Sequence, residues 1–249
     1  MSASLPPPPA DLLAGASLFL DFDGTLVELA ATPDAVAVAP ELPGLLERLA
    51  ARLPGGVAIV SGRPVHEVRA LIAPAALVIA GSHGLEIADS DGTVHAPDRP
   101  AALDAALAAA HDLAAAHDGM LVEDKPFGVG LHYRRAPHAG DAAAAFADRL
   151  AARHGLVVQH GKMVVELRLP GRDKGAAVDL LMTEPERRHA RPVFMGDDVT
   201  DEAGFHAARA LGGAGVLVGA PRATAASYRL AGVADALAFL DAATARGDA

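Results

Sequence analysis

The stretches that decide the fold are residues 18–26, LFLDFDGTL, and residues 193–202, VFMGDDVTDE. Each begins with an apolar run typical of a buried strand, and each run stops at carboxylates. In an open parallel α/β sheet, ligands bind beyond the carboxyl ends of the strands. If the two strands are neighbours, their carboxylates meet in one crevice. The acidic site that this predicts consists of Asp21, Asp23, Asp197, Asp198 and Asp201.

Carboxylates crowded in this way repel one another strongly unless a cation lies among them. Oxygen ligands suit a hard cation, and Mg²⁺ fits them best. We expect Asp197 to be a direct ligand, and Asp198 and Asp201 either to join it or to hold metal-bound water. The alternative is that Asp23 and Asp198 only cap turns or helices. The pattern favours a Mg²⁺ site, and with it phosphate chemistry.

Strands and helices alternate at both ends of the chain but not in its middle. Apolar runs at residues 18–22, 57–60, 77–80, 193–195 and 215–218 are joined by helical patterns, which predicts a doubly wound parallel sheet, Rossmann-like in architecture. From about residue 100 the order is helix, hairpin, helix, hairpin, which predicts a small antiparallel sheet with helices on one face. We therefore predict an α/β core of residues 1–100 and 171–249 with an inserted, smaller α/β domain of residues 101–170.

Composition narrows the functional classes. The chain has 249 residues, of which 51% are hydrophobic, and no cysteine, so disulfides and thiolate metal sites are excluded. A formal net charge of -10 argues against nucleic acid as a partner. Neither a secretory pattern nor an apolar run near the ~20 residues of a membrane span is present, so we expect a cytoplasmic protein. The tract Pro6–Pro9 is predicted as an extended, frayed lead-in.

The first acidic stretch has the residues that a covalent phosphatase needs. Asp21, at the strand end, is the predicted nucleophile, which divides one difficult displacement into two easier steps. Asp23, two residues on, would protonate the leaving alcohol and then deprotonate the attacking water. Gly24 and Thr25 fit a tight turn that brings backbone N–H groups to phosphate oxygens.

Further polar residues follow the other predicted strands. Ser61 ends the second strand just before a helix at Pro64, where a hydroxyl and helix-start N–H groups suit a phosphate oxygen. Lys174 begins a later helix and would offset the charge on Asp21 and the phosphoryl group, although a solvated helix-end lysine is the alternative. Arg63 and His83, also at strand ends, either touch substrate or have packing and turn roles.

Four motifs in order resemble the haloacid dehalogenase superfamily of phosphotransferases. They are residues 21–26, Ser61, Lys174 and residues 196–201. The resemblance implies that Asp21 and Asp197, with the backbone carbonyl of Asp23, ligate Mg²⁺. Dehalogenase members lack the second aspartate of the first motif, so Asp23 indicates a phosphatase.

A closer resemblance, to the trehalose-6-phosphate phosphatase family, covers nearly the whole chain after the proline tract. It rests on SGR at 61–63, GSHG at 81–84, EDK at 123–125, HYR at 132–134, GKMVVE at 161–166 and GDDVTDE at 196–202. In that family the insert is a cap that closes over the sugar phosphate. The resemblance implies that acidic cap residues hold sugar hydroxyls and cationic ones hold phosphate and sugar oxygens. The matching positions are Glu123, Lys125, His132, Arg134, Lys162 and Glu166.

Strand alternation in the predicted cap agrees with this assignment. His132 and Arg134 share one face. Lys162, Val164 and Glu166 share one face of the last predicted strand, and the opposite faces carry Val129, Leu131 and Tyr133 and Met163, Val165 and Leu167. An ordinary solvated sheet face is the alternative.

The resemblance implies Mg²⁺-dependent hydrolysis of trehalose 6-phosphate to trehalose and phosphate through a phospho-aspartate. It also implies a functional link to a trehalose-phosphate synthase, and we expect a monomer without nucleic-acid or membrane partners. One alternative keeps the chemistry but changes the substrate to sucrose 6-phosphate, mannosyl-3-phosphoglycerate or another sugar phosphate. Another is a catalytically silent sugar-phosphate sensor or regulatory partner of a synthase, against which the intact acidic residues and Lys174 count.

Overall fold

The structure, a computed structural model of the chain, describes residues 5–30, 35–161 and 163–245. The residues group into two compact units, one of Met1–Ala96 with Arg172–Ala249 and the other of Pro97–Gly171. Among the residues described, the longest helices have 15 residues and none is long and apolar enough to cross a bilayer.

Unit one contains an eight-stranded sheet in the order β12-β11-β10-β1-β2-β3-β4-β5. Every pairing from β12 to β3 is parallel, and β4 and β5 add antiparallel strands at one edge. Its strands are β1 (Ala16–Leu20), β2 (Val57–Val60), β3 (Val78–Gly81), β4 (Glu86–Ala88), β5 (Val94–His95), β10 (Arg191–Gly196), β11 (Ala214–Val218) and β12 (Tyr228–Leu230). Its helices are α1 (Leu42–Arg52), α2 (Val65–Ile72), α5 (Lys174–Leu181), α6 (Glu202–Ala210) and α7 (Val233–Ala245).

Both faces of this sheet are covered, which explains why its strands are continuous apolar runs. Leu18 and Leu20 of β1 belong to a hydrophobic cluster with residues of α1, α2 and α7. Phe19, between them, belongs to a second cluster with residues of α5 and α6. This is the predicted doubly wound α/β fold, and the prediction is confirmed.

Unit two is an antiparallel sheet in the order β6-β7-β9-β8 with two helices. The elements are β6 (Leu121–Lys125), β7 (Gly128–His132), β8 (Val157–Gly161), β9 (Val164–Arg168), α3 (Ala101–Ala115) and α4 (Gly140–His154). Val129 and Leu131 of β7 and Val165 and Leu167 of β9 are buried in one cluster with residues of both helices. The other face of the sheet is left for polar side chains, as the alternation predicts.

Two details differ from the predictions. The proline tract is not a frayed lead-in, because the carbonyl of Pro6 accepts a hydrogen bond of 3.0 Å from the backbone N–H of Arg229 on the edge strand β12. β7 ends at His132, so the exposed Arg134 lies in a turn and not on the strand. A hydrogen bond from the N–H of Ala136 to the carbonyl of Tyr133 closes this turn before Pro137.

Candidate active site

The two acidic stretches lie side by side because β1 and β10 are parallel neighbours. Leu20 pairs with Met195, and the N–H of Asp21 donates to the carbonyl of Met195 at 2.9 Å. Asp21 and Asp197 therefore follow adjacent strand ends. One ligand oxygen from each of Asp21, Asp197 and Asp201 lies within 4.8 Å of the other two.

Lys174 lies inside this acidic group. Its Nζ donates to Oδ1 of Asp21 and to Oδ1 of Asp201, each at 2.6 Å, and the residue is only 3% exposed. α5 presents Lys174 at its first position, where the Asp173 side chain caps the helix by accepting from the N–H of Ala176. The alternative of a solvated lysine is therefore wrong, because Lys174 is itself buried and faces two buried carboxylates.

The surroundings of these carboxylates disfavour their ionised forms. Burial and the charge of Asp201 raise the pKa of Asp21 well above its ordinary value, although Lys174 acts in the opposite direction. Burial and Asp201 also raise the pKa of Asp197, to about 6. Burial lowers the pKa of Lys174, but Asp21 and Asp201 together outweigh it and the net shift is upward. Three carboxylates around one ammonium therefore leave an excess of negative charge.

One oxygen of Asp197 has no hydrogen-bond partner within the described part of the chain. Among the described residues, Oδ1 of Asp197 and Oγ1 of Thr25 are buried side-chain atoms that make no hydrogen bond. A Cβ on Gly24, whose φ is +83°, would lie 2.2 Å from Oδ2 of Asp197, so only glycine leaves room for this carboxylate. A buried oxygen without a donor, beside two more carboxylates, fits a hard cation such as Mg²⁺.

The turn at Gly24 and Thr25 differs in one respect from the prediction. The N–H of Gly24 donates to the carbonyl of Val27 at 2.7 Å, and the N–H of Thr25 donates to the carbonyl of Phe22 at 3.4 Å. These two donors are therefore already used inside the turn. The hydroxyl of Thr25 is the group at this turn that has no partner among the residues described.

Asp23 and Asp198 lie outside the group of three carboxylates. Asp23 forms a two-bond ion pair with Arg63, with distances of 2.6 Å from Nε to Oδ2 and 2.9 Å from Nη2 to Oδ1. Asp198 is exposed, and its backbone N–H donates to Oδ2 of Asp201 at 2.8 Å. Each oxygen of Asp201 therefore accepts a hydrogen bond from the protein, one from Lys174 and one from the N–H of Asp198.

Ser61 and His83 lie beside Arg63. Ser61 is buried, and its Oγ accepts from the N–H of Arg63 at 3.1 Å. A Cβ on Gly62 would lie 2.8 Å from two atoms of the His83 imidazole, so the ring packs directly on the glycine backbone. The predicted residues of unit one thus form two sets. One consists of Asp21, Lys174, Asp197 and Asp201. The other consists of Asp23 and Arg63, with Ser61 and His83 beside them.

In unit two, four of the predicted residues form a polar cluster on one face of the sheet. Lys125 Nζ lies 2.6 Å from Oε2 of Glu166, and His132 Nε2 lies 2.8 Å from Oε2 of Glu123. Burial raises the pKa of Glu123, but the hydrogen bond from His132 and the charge of Lys125 outweigh it and lower the pKa. Lys162 lies outside the described residues, and Arg134 is in the turn after β7.

Comparison with known proteins identifies the family. The family described as trehalose-phosphatase matches residues 19–234. The chain belongs to the trehalose-phosphatase family. A protein named probable trehalose-phosphate phosphatase from Sinorhizobium fredii is 40% identical over 207 residues, which are 82% of this chain and 78% of that protein. A trehalose-6-phosphate phosphatase from Escherichia coli is 38% identical over 233 residues, 93% of this chain and 87% of that one.

Solved structures share the fold. The C-terminal domain of a Candida albicans trehalose-6-phosphate phosphatase matches with a TM-score of 0.82 at 22% identity, covering 98% of this chain and 99% of that one. A haloacid dehalogenase-like hydrolase from Bacteroides thetaiotaomicron matches with a TM-score of 0.63 at 16% identity, covering 90% and 98%. Membership of the trehalose-phosphatase family makes this protein a phosphatase, a phosphoric monoester hydrolase.

Proposed function

We propose that this phosphatase hydrolyses trehalose 6-phosphate to trehalose and inorganic phosphate, with Mg²⁺, through a phosphoryl group carried by Asp21. The observation that carries the chemistry is the buried Lys174 between Asp21 and Asp201, beside an oxygen of Asp197 that has no hydrogen-bond partner among the described residues. A binding protein needs neither a buried nucleophile nor a second carboxylate two residues away. The substrate follows from the names of relatives 38–40% identical to this chain.

Asp21 and Asp197, with the backbone carbonyl of Asp23, are the groups that we propose to hold Mg²⁺. Asp201 takes part indirectly, because both its oxygens already accept hydrogen bonds from Lys174 and from the N–H of Asp198. The cation, when bound, neutralises the excess charge of the carboxylates and stabilises charge on the phosphoryl oxygens.

In the first step, a carboxylate oxygen of Asp21 attacks phosphorus and the bond from phosphorus to the ester oxygen breaks. Lys174 holds the attacking carboxylate by Oδ1, which keeps its other oxygen directed outward. The leaving sugar oxygen takes a proton from Asp23, so the product is a neutral alcohol. Asp23 must carry a proton for this step and must therefore give up a hydrogen bond to Arg63.

In the second step, water attacks the phosphorus of phospho-Asp21. Asp23, now ionised and paired with Arg63 as in this structure, takes the proton of that water. The bond from phosphorus to the Asp21 oxygen breaks, inorganic phosphate is formed and the carboxylate returns to Lys174. Ser61 and the Thr25 hydroxyl are proposed to donate to phosphoryl oxygens, and Arg63 and His83 to contact the substrate during turnover.

The experiment for this proposal is phosphate release by the purified protein with Mg²⁺ across four sugar phosphates. These are trehalose 6-phosphate, sucrose 6-phosphate, glucose 6-phosphate and mannosyl-3-phosphoglycerate. We expect a strong preference for the first. Preference for another substrate would keep the chemistry and replace the substrate, and no release from any of them would favour a sensor of sugar phosphates.

Glu166→Ala is expected to separate sugar recognition from chemistry. We propose that the polar cluster of unit two binds sugar hydroxyls, with Glu166 and Glu123 accepting, Lys125, His132 and Arg134 donating, and Lys162 taking part. Loss of Glu166 also removes the hydrogen bond of 2.6 Å that positions Lys125 Nζ, so kcat/KM for trehalose 6-phosphate should fall by about 10- to 100-fold. Hydrolysis of p-nitrophenyl phosphate should change by less than about threefold. Asp148→Ala, an exposed carboxylate of α4, is the control. Equal losses on both esters would contradict a sugar-binding role.

Asp197→Asn is expected to abolish stabilisation by Mg²⁺ and to remove part of the pH dependence of the metal-free stability. With its pKa at about 6 instead of 3.8, Asp197 in the metal-free folded protein binds a proton that the unfolded chain has already lost between about pH 4 and 6. Metal-free stability should therefore fall as the pH rises through this window. Stabilisation by Mg²⁺, which needs the ionised form, should instead increase as the pH rises through about 6.

Thermal unfolding from pH 4.5 to 8, with and without Mg²⁺, measures both effects. Asp197→Asn should lose the Mg²⁺-induced rise in Tm, and Asp198→Asn, at an exposed position, should keep it. An unchanged Mg²⁺ response in Asp197→Asn would mean that the cation binds elsewhere.

A further inference from the structure

The turn after β3 has an unusual backbone. Ser82, His83 and Gly84 have φ angles of 49°, 57° and 90°. Only Gly84 adopts such angles without strain, since a left-handed conformation is unfavourable for residues with a Cβ. Strained residues of this kind persist where the surrounding structure forces them, and they are concentrated at functional sites. We refer to Ser82–Gly84 as the strained turn.

The strained turn is hydrogen-bonded to the segment that bears Ser61 and Arg63. The N–H of Ser82 donates to the carbonyl of Arg63 at 2.8 Å, and the N–H of His83 donates to the carbonyl of Ser61 at 2.9 Å. A Cβ on Gly81 would lie 2.6 Å from the backbone nitrogen of Val65, so the two segments are in close contact. A displacement of the strained turn would therefore displace Ser61 and Arg63.

A buried carboxylate joins the strained turn to the start of α2. Glu86, on β4, is 7% exposed. Its Oε1 accepts from the hydroxyl of Ser82 at 2.5 Å and from the N–H of Val65 at 3.4 Å. Both donors are neutral. Burying a carboxylate is costly, and an apolar residue on this strand would avoid that cost. The catalytic steps proposed above make no use of Glu86.

We propose that Glu86 is a positioning residue for ester cleavage. It holds the strained turn against residues 61–65 and thereby sets the place of the Arg63 guanidinium, which in turn holds both oxygens of Asp23. It equally sets the place of the Ser61 hydroxyl and of the His83 ring on Gly62. This inference rests on the roles of Asp23 and Ser61 in the proposed function.

The test compares two esters that differ in their need for a proton. A small alkyl phosphate has a poor leaving group that depends on Asp23, whereas p-nitrophenolate leaves without protonation. In Glu86→Ala, kcat/KM for the alkyl ester should fall about 10- to 100-fold. The fold-loss in kcat/KM for p-nitrophenyl phosphate should be about ten times smaller. Glu86→Gln keeps an acceptor oxygen and should remain within about threefold of the wild type on both.

Leu49→Ala, in the buried face of α1, is the control for lost stability alone. Equal losses on the two esters in Glu86→Ala, as a general loss of stability would give, would overturn the inference. A double-mutant cycle adds a second criterion. Because Glu86 acts in part through Arg63, the loss on the alkyl ester caused by Glu86→Ala should be smaller in an Arg63→Met background than in the wild type, and fully additive losses would contradict this. If Glu86→Ala does not fold, Ser82→Ala removes one of the two hydrogen bonds and takes its place.

A binding readout separates this inference from the proposed function. With Mg²⁺ present, inorganic phosphate should raise the Tm of the wild type and of Leu49→Ala, and raise that of Glu86→Ala by much less. An equal rise in Glu86→Ala would count against the positioning role. A wild type that releases no phosphate from the four sugar phosphates would contradict the proposed function, whereas the comparison of phosphate binding would still test whether Glu86 positions Ser61.

Discussion

Asp21→Asn is expected to abolish turnover, lowering kcat by at least about 10⁴-fold, as removal of a nucleophile does in other covalent enzymes. Asparagine has nearly the same shape, and its carbonyl oxygen can still accept from Lys174. The protein should remain folded, because the substitution removes one of three mutually repelling carboxylates, of which two are buried and Asp197 is partly buried. The measurement is phosphate release with Mg²⁺, alongside thermal unfolding.

The matched control is Asp11→Asn, an exposed aspartate ahead of β1, which should leave turnover unchanged. Metal-free Asp21→Asn should unfold at a Tm equal to or above that of the wild type at pH 7.5. The raised pKa of Asp21 means that its ionised form destabilises the folded protein, and the substitution removes that charge. A variant that is folded and fully active would rule out a phospho-aspartate at this position.

Lys174→Met is expected to produce the largest loss of stability, together with loss of activity. The Lys174 ammonium forms an ion pair with Asp21 and another with Asp201, and both carboxylates are nearly or fully buried. Breaking a buried ion pair by removing one partner costs about 3–5 kcal/mol, because the other charge stays buried and unpaired. Denaturant unfolding at pH 7.5 without Mg²⁺ measures the change in the free energy of unfolding.

Lys125→Met provides the same substitution at a partly exposed ion pair of unit two, where a loss of no more than about 1 kcal/mol is expected. Adding Asp201→Asn to Lys174→Met should restore part of the stability, since one unpaired carboxylate is removed. A loss no larger than that of Lys125→Met would mean that the pairing with Asp21 and Asp201 contributes little.

Much of the candidate site was predictable because its position follows from topology. Apolar runs that stop at Asp21 and at Gly196 identify two strand ends, and parallel pairing of β1 with β10 brings their carboxylates together. The place of Lys174 was left open between a buried and a solvated lysine, because helix periodicity does not reveal which end of a helix faces a sheet edge.

Contacts between side chains and turns were harder to predict. Nothing in the spacing of Asp23 and Arg63, 40 residues apart, indicates that they form an ion pair. The exposure of Asp198 follows from the short helical turn that begins after it, whose pattern is too brief to show periodicity. The burial of Glu86 has a local signal in the sequence, since this carboxylate lies between the apolar residues Leu85 and Ile87.

The last two elements of the fold, β12 and α7, were not predicted. β12 has only three residues and α7 is rich in alanine, so neither has a clear apolar period. β12 forms the edge of the sheet, and the carbonyl of Pro6 is bonded to it. This contact joins residues more than 200 positions apart, which is beyond the reach of local sequence patterns.

The measurement that tests the central claim most directly is acid quenching of the enzyme during turnover of ³²P-labelled trehalose 6-phosphate with Mg²⁺. The account predicts a protein-bound phosphoryl group that hydroxylamine releases, located on the peptide that contains Asp21 and absent from Asp21→Asn. Rapid phosphate release with no label on the protein at any quench time, or label on a different residue, would contradict it.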